Sequence, residues 1–123
     1  MKPDNKIQEL SFNFSLEIIA LYKQFLQKNE FILSKQLLKS ATSIGANVEE
    51  ALAGQTRKDF ISKMAIASKE ARETRYWLLI LKRSKLVDLD YDPALYSIEQ
   101  IINVLTKIVK TSQATFRNST FKI

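Results

Sequence analysis

The order of apolar and polar positions along this chain predicts a set of amphipathic helices. Leu37, Ala41, Ile44, Val48, Ala51 and Leu52 recur at steps of three and four, the spacing that gathers side chains on one face of a helix. Ser40, Ser43, Asn47 and Glu50 fall on the adjacent face. A longer run repeats the spacing with Phe60, Met64, Ala67, Ala71, Thr74, Leu78 and Leu81, apolar at every position except Thr74. Beside this stripe lies a row of Ile66, Glu70, Glu73, Trp77 and Ile80. The helix is therefore apolar on more than one side and needs more than one neighbour.

Punctuation sets the boundaries. Residues 1–10 read as a loose lead-in. A first helix over roughly 11–28 starts at Ser11 or Asn13, either of which can cap, and turns Leu16, Ile19, Tyr22 and Leu26 inward with Ile18 and Phe25 beside them. Asn29 is a plausible end. The second helix, 31–53, begins at Phe31 and Ile32 and contains Gly45, a residue that costs about 1 kcal/mol relative to alanine inside a helix. Close approach of another backbone accounts for it better than a kink. Gly54 and Gln55 then break the pattern, and Thr56 with Asp59 forms an N-terminal capping pair for a third helix, 56–85, about 45 Å long. Asp88, Asp90 and Asp92 mark a polar turn, in which Asp92 caps and Pro93 takes the first helical position. A fourth helix, 93–112, carries Leu95, Ile98, Ile102, Leu105 and Val109, flanked by Ile101 and Ile108. Residues 114–123 read as a basic, partly mobile tail. The expected fold is all-α: one domain over residues 1–123, an antiparallel up-and-down four-helix bundle.

Composition narrows the chemistry. A chain of 123 residues, 46% hydrophobic and 26% charged, has the size and balance of one globular domain. No window approaches the roughly 18 to 20 uninterrupted apolar residues of a membrane span, and the N-terminal residues lack the apolar core of a signal peptide. A cytoplasmic protein is expected. The absence of both cysteine and histidine removes thiolate and imidazole metal ligands, cysteine nucleophiles and the commonest general base. No catalytic residue, cofactor, metal or small-molecule substrate is indicated, and an enzyme is not expected. The net charge of +6 biases encounters toward polyanions.

Two groups of side chains are candidates for more than packing. Asn47, Glu50, Glu70 and Glu73 could converge between the second and third helices. A dimetal site there would normally use histidines at Glu-x-x-His spacing, so the expected role is a structural polar network satisfied by Arg72, Arg75 or serine hydroxyls. The second group is a row at helical spacing on the side of the third helix away from its main stripe: Lys58, Ser62, Ala65, Lys69, Arg72, Tyr76, Leu79 and Arg83. Arginine and lysine neutralise phosphates and a tyrosine can stack on an unpaired base, so Lys58, Lys69, Arg72, Tyr76 and Arg83 are candidate nucleic-acid contacts. A solvated face with Tyr76 and Leu79 half-buried at a subunit contact is the competing account. Lys107, Lys110, Arg117 and Lys122 add charge in a stretch with no acid after Glu99.

The segment Leu-Leu-Lys-Ser-Ala-Thr-Ser-Ile-Gly-Ala-Asn-Val-Glu-Glu-Ala, followed by Lys58-Asp59-Phe60 and by Ala67 to Leu78, resembles the four-helix-bundle family named after a 23S rRNA intervening-sequence protein. Its more specific parts are Ser43-Ile44-x-x-Asn47-x-x-Glu50 and Glu70-x-x-Glu73-x-x-x-Trp77. Where the family pattern often has glycine after the residue matched by Glu50, this chain has Ala51, with Gly54 later. The resemblance implies a ring-like homo-oligomer, a pentamer, without enzymatic activity. It also implies a relation to the accessory variability determinant proteins of diversity-generating retroelements, which work beside a reverse transcriptase and its template RNA. Two functions are therefore expected to compete: an oligomeric module associating with RNA or DNA, and a protein-binding scaffold whose basic faces meet an acidic partner.

Overall fold

The computed structural model describes the backbone of residues 3–121 and the side chains of residues 6–118. It contains four helices: α1 (Pro3–Gln27), α2 (Leu33–Leu52), α3 (Arg57–Ser84) and α4 (Asp92–Phe121). α1 packs on α2 and α4, and α3 packs on the same two, so that α1 and α3 lie diagonally across the bundle. Successive helices run antiparallel. Gln8 near the start of α1 hydrogen-bonds Glu49 near the end of α2, and Lys82 near the end of α3 meets Asp92 at the start of α4. This is the expected all-α up-and-down bundle.

The stripes of α2 and α3 are buried as their spacing predicts. Leu37, Ala41, Ile44, Val48 and Ala51 face Met64, Ala67, Ala71, Leu78 and Leu81, and Thr74 is buried among them. Ala51 continues α2, which ends one residue later at Leu52. The Cβ that an alanine would place at Gly45 lies 3.5 Å from the backbone oxygen of Ser11 and 3.6 Å from Ser15 Oγ. α1 does approach at this point, but only to ordinary van der Waals contact.

α1 departs from expectation twice. It begins by Pro3, not near Ser11, and its buried row is Ile7, Ser11, Phe14, Ile18, Leu21 and Phe25. Of the row expected inside, Leu16 is 53% exposed and Ile19 and Leu26 are each 39% exposed, Tyr22 is half-buried, and the flanking Ile18 and Phe25 are buried. Both rows have helical spacing, and the longer one wins. Helix over residues 3–10 adds Ile7 to the buried side, giving an unbroken alternation of steps of four and three from Ile7 to Phe25.

α4 is longer than its apolar pattern. It passes the expected end at Ser112 and continues to Phe121, with Thr115 Oγ1 donating to the Thr111 carbonyl 3.0 Å away. No glycine or proline follows Pro93 to stop it. The expected tail is thus helical as far as Phe121, and Lys122 lies outside the described residues.

The connections are fixed by side chains. Asn29, with φ 61°, turns the chain out of α1. The Glu30 carboxylate then accepts from the backbone N–H groups of Ile32, Leu33 and Ser34 at 3.1, 2.9 and 2.7 Å, and α2 starts two residues later than Phe31 as a result. Thr56 Oγ1 accepts from Asp59 N at 3.0 Å, the cap predicted for α3. Between α3 and α4 the Tyr91 hydroxyl donates to the Val87 carbonyl at 2.8 Å. Burial, reinforced by Glu30 and Asp88, pushes its phenol up to about 12. α4 begins one residue ahead of Pro93, and Leu95 N donates to the Tyr91 carbonyl.

Candidate nucleic-acid interface

α3 presents its basic row to solvent. Lys58, Ser62, Lys69, Arg72, Tyr76 and Arg83 are exposed, and Ala65 and Leu79 are half-buried. The core stripe occupies the opposite side, so the amphipathic spacing alone forces these residues outward.

Arg72 of this row and Arg75 beside it reach across to α4. Arg72 Nη2 donates to Thr106 Oγ1 at 3.1 Å, and Arg75 Nη1 lies 2.9 Å from Glu99 Oε1. The guanidinium groups thus hang over the seam between α3 and α4. There they meet Lys107 and Lys110, with Asn103 and Thr111 completing the polar lining, in an open groove of about 540 Å³. Arg72 of α3 and Lys107 and Lys110 of α4, candidates from two separate parts of the sequence, are brought into one place. Arg75 joins them, although the sequence suggested it as a partner for Glu70 or Glu73. The missed signal was its i,i+3 relation to Arg72, which sets both on one side of the helix.

The remaining candidates stand apart. Lys58 faces Arg117 across a recess between the first turns of α3 and the last described turns of α4, lined also by Ile61, Gln113 and Phe116. Lys69, Tyr76 and Arg83 are exposed on α3 outside the groove. Tyr76 is 57% exposed and stands edge-on to Trp77, with ring centroids 5.2 Å apart. Its phenol ring is thereby propped at the surface. The Trp77 Nε1 atom is buried without a hydrogen-bond partner among the described residues.

Among the described residues, Asn47 and Glu50 take partners other than Glu70 and Glu73. Asn47 donates along its own helix to the Ser43 carbonyl at 2.8 Å, and Glu50 meets Lys63 of α3 at 3.6 Å. Glu70 is half-buried. Burial and the neighbouring Glu73 raise its carboxyl above the usual range, against the opposing pull of Lys39 and Lys69. Arg72 and Arg75, turned toward α4, do not serve these acids through any hydrogen bond among the described residues. The buried polar contact between the two helices is instead Thr74 with Ser40. Among the described residues no three acidic side chains group as metal ligands would, and no helix is long and apolar enough to cross a membrane.

Residues 3–107 match the family described as 23S rRNA-intervening sequence protein. The crystal structure of a protein of unknown function from the S23 ribosomal protein family of Bacteroides thetaiotaomicron VPI-5482 is 41% identical in sequence, with a TM-score of 0.84. That match covers 89% of this chain and 99% of the other. No functionally curated protein matches significantly.

Proposed function

Because the chain belongs to the 23S rRNA-intervening sequence protein family, we propose that it is a non-enzymatic, oligomeric, cytoplasmic bundle protein that associates with RNA or DNA through its basic surfaces. The observation that carries this reading is the α3/α4 groove, where Arg72 and Arg75 of one helix and Lys107 and Lys110 of the next share one opening. Cations gathered in one opening suit the phosphates of a polynucleotide. Their neutralisation releases counterions, which gives affinity without sequence preference. Tyr76, exposed one turn beyond Arg72, offers a face on which an unpaired base can stack.

Assembly strengthens weak contacts. The outward row of α1, formed by Phe12, Leu16, Ile19 and Leu26, together with Ile66 and Ile80 of α3, leaves apolar surface on opposite sides of the bundle that further copies would cover. The resemblance supports a ring of five, in which each copy repeats the groove. It also supports a kinship with accessory variability determinant proteins and their RNA partners. The same cations suit an acidic protein, and a scaffold of that kind is the competing account.

Fluorescence anisotropy with a labelled single-stranded RNA across a salt series separates the two. The nucleic-acid reading expects log affinity to fall linearly with log salt, by roughly 0.7 per phosphate contacted. Absence of binding at low salt would leave only the scaffold.

A further inference from the structure

We infer that Glu99 holds the place of a phosphate in the α3/α4 groove, so that a phosphodiester chain entering it must displace this carboxylate from Arg75. The inference rests on the nucleic-acid reading of that groove and names what regulates entry to it. Glu99 is the one acid lining the opening among the described residues, and the sequence after it contains no other. Its Oε1 lies 2.9 Å from Arg75 Nη1, the distance of a charge-assisted hydrogen bond such as a phosphate oxygen would make.

The other cations are differently engaged. Arg72 donates to the neutral hydroxyl of Thr106, which orients its guanidinium without cancelling its charge. Lys107 and Lys110 form no ion pair among the described residues. The groove therefore has three uncompensated cations and one, Arg75, already occupied by a built-in anion. A polynucleotide gains the first three directly and reaches Arg75 only by exchange. Carboxylate and phosphate compete for the same guanidinium fork, and both side chains of the pair are solvent-accessible, so the exchange needs no unfolding. Glu99 thus lowers the affinity of the groove for polyanions and holds back the phosphate contact at Arg75.

Anisotropy titrations with labelled oligouridine RNA test this in the wild type, Glu99→Gln, Arg75→Ala and the double variant, each first checked for unchanged helicity by circular dichroism. An exposed ion pair of this kind corresponds to about a two- to five-fold change, so Glu99→Gln is expected to tighten binding by that factor. The salt slope should steepen by up to about 0.7 as Arg75 becomes a full phosphate contact. In the Arg75→Ala background the same replacement should still relieve repulsion between Glu99 and the phosphates but should not steepen the salt slope, because no guanidinium is released to make a further phosphate contact. An unchanged affinity in Glu99→Gln, or a salt slope that steepens equally without Arg75, overturns the inference while leaving nucleic-acid binding intact. If no variant binds RNA, the proposed function fails, and the exchange is then read with inorganic tripolyphosphate by NMR of the Arg75 side-chain N–H. That signal should respond at lower concentration in Glu99→Gln than in the wild type. Equal titrations, or no response, overturn the inference.

Discussion

Thr74 Oγ1 lies 2.9 Å from Ser40 Oγ, and both side chains are fully buried where α2 crosses α3. Each hydroxyl also has a carbonyl within reach on its own helix, Glu70 for Thr74 at 2.8 Å and Leu37 for Ser40 at 3.2 Å. One proton can therefore bridge the two hydroxyl oxygens while the other goes to a backbone carbonyl, and the pair can be arranged in either direction. Neither buried oxygen is orphaned.

The pair is expected to behave as a unit. Thr74→Val, close in shape, and Ser40→Ala should each cost about 0.5 to 1.5 kcal/mol in urea denaturation. The double variant should cost less than the sum, because the second hydroxyl loses nothing further once its partner is gone. Strict additivity would mean that the hydroxyls bond only within their own helices.

Glu30 makes the stability of α2 dependent on acid. Burial alone would raise its carboxyl, but hydrogen bonds from Ser34, Leu33 and Ile32 outweigh this and hold it below the usual 4.5. A lowered folded-state value means that the unfolded chain binds the proton more readily, so the stabilisation is present above the unfolded value and is lost as pH falls through the folded one. Glu30→Ala should cost about 0.5 to 2 kcal/mol at neutral pH, the range for a lost helix cap. The difference from wild type should shrink in denaturation curves taken toward pH 3. A cost independent of pH would point to packing alone.

Gly45→Ala should stabilise the protein. The added methyl would meet Ser11 and Ser15 at ordinary contact distance, while the helix gains alanine's propensity. Thermal and chemical denaturation should show a gain of about 0.4 to 1 kcal/mol. A loss would place α1 closer to α2 than 3.5 Å contacts imply.

Leu16→Glu tests the outward row of α1. The side chain is half-exposed in the single chain and touches no buried charge, so helicity and folding should be retained. Light scattering should show a smaller assembly than wild type if this row joins copies. A wild-type monomer at micromolar concentration would remove the oligomer from the proposed function.

Tyr76→Ala should weaken single-stranded RNA binding by about 1 to 3 kcal/mol per stacked base while leaving the salt slope unchanged, because the ring neutralises no phosphate. Anisotropy with single-stranded and duplex RNA of one sequence reads the difference. An equal loss on both would assign Tyr76 to supporting Trp77, against whose ring it stands.

Much of this molecule was legible as sequence because helical periodicity is a local property. The stripes of α2 and α3, the Thr56 cap and the exposed side of Lys58, Lys69, Arg72, Tyr76 and Arg83 follow from spacing within one segment, and the structure keeps them. α1 shows where spacing stops deciding. Two rows on that helix are equally periodic, and only the neighbours α2 and α4 select Ile7 to Phe25 for burial over Leu16, Ile19 and Leu26. The extension of α4 beyond Ser112 was hidden for the converse reason, since a helix with a solvated surface has no apolar stripe to reveal it. The groove belongs wholly to tertiary structure. Arg75 and Glu99 are 24 residues apart, and nothing within either helix says that α4 lies on the Arg75 side of α3; packing four helices around one core decides it.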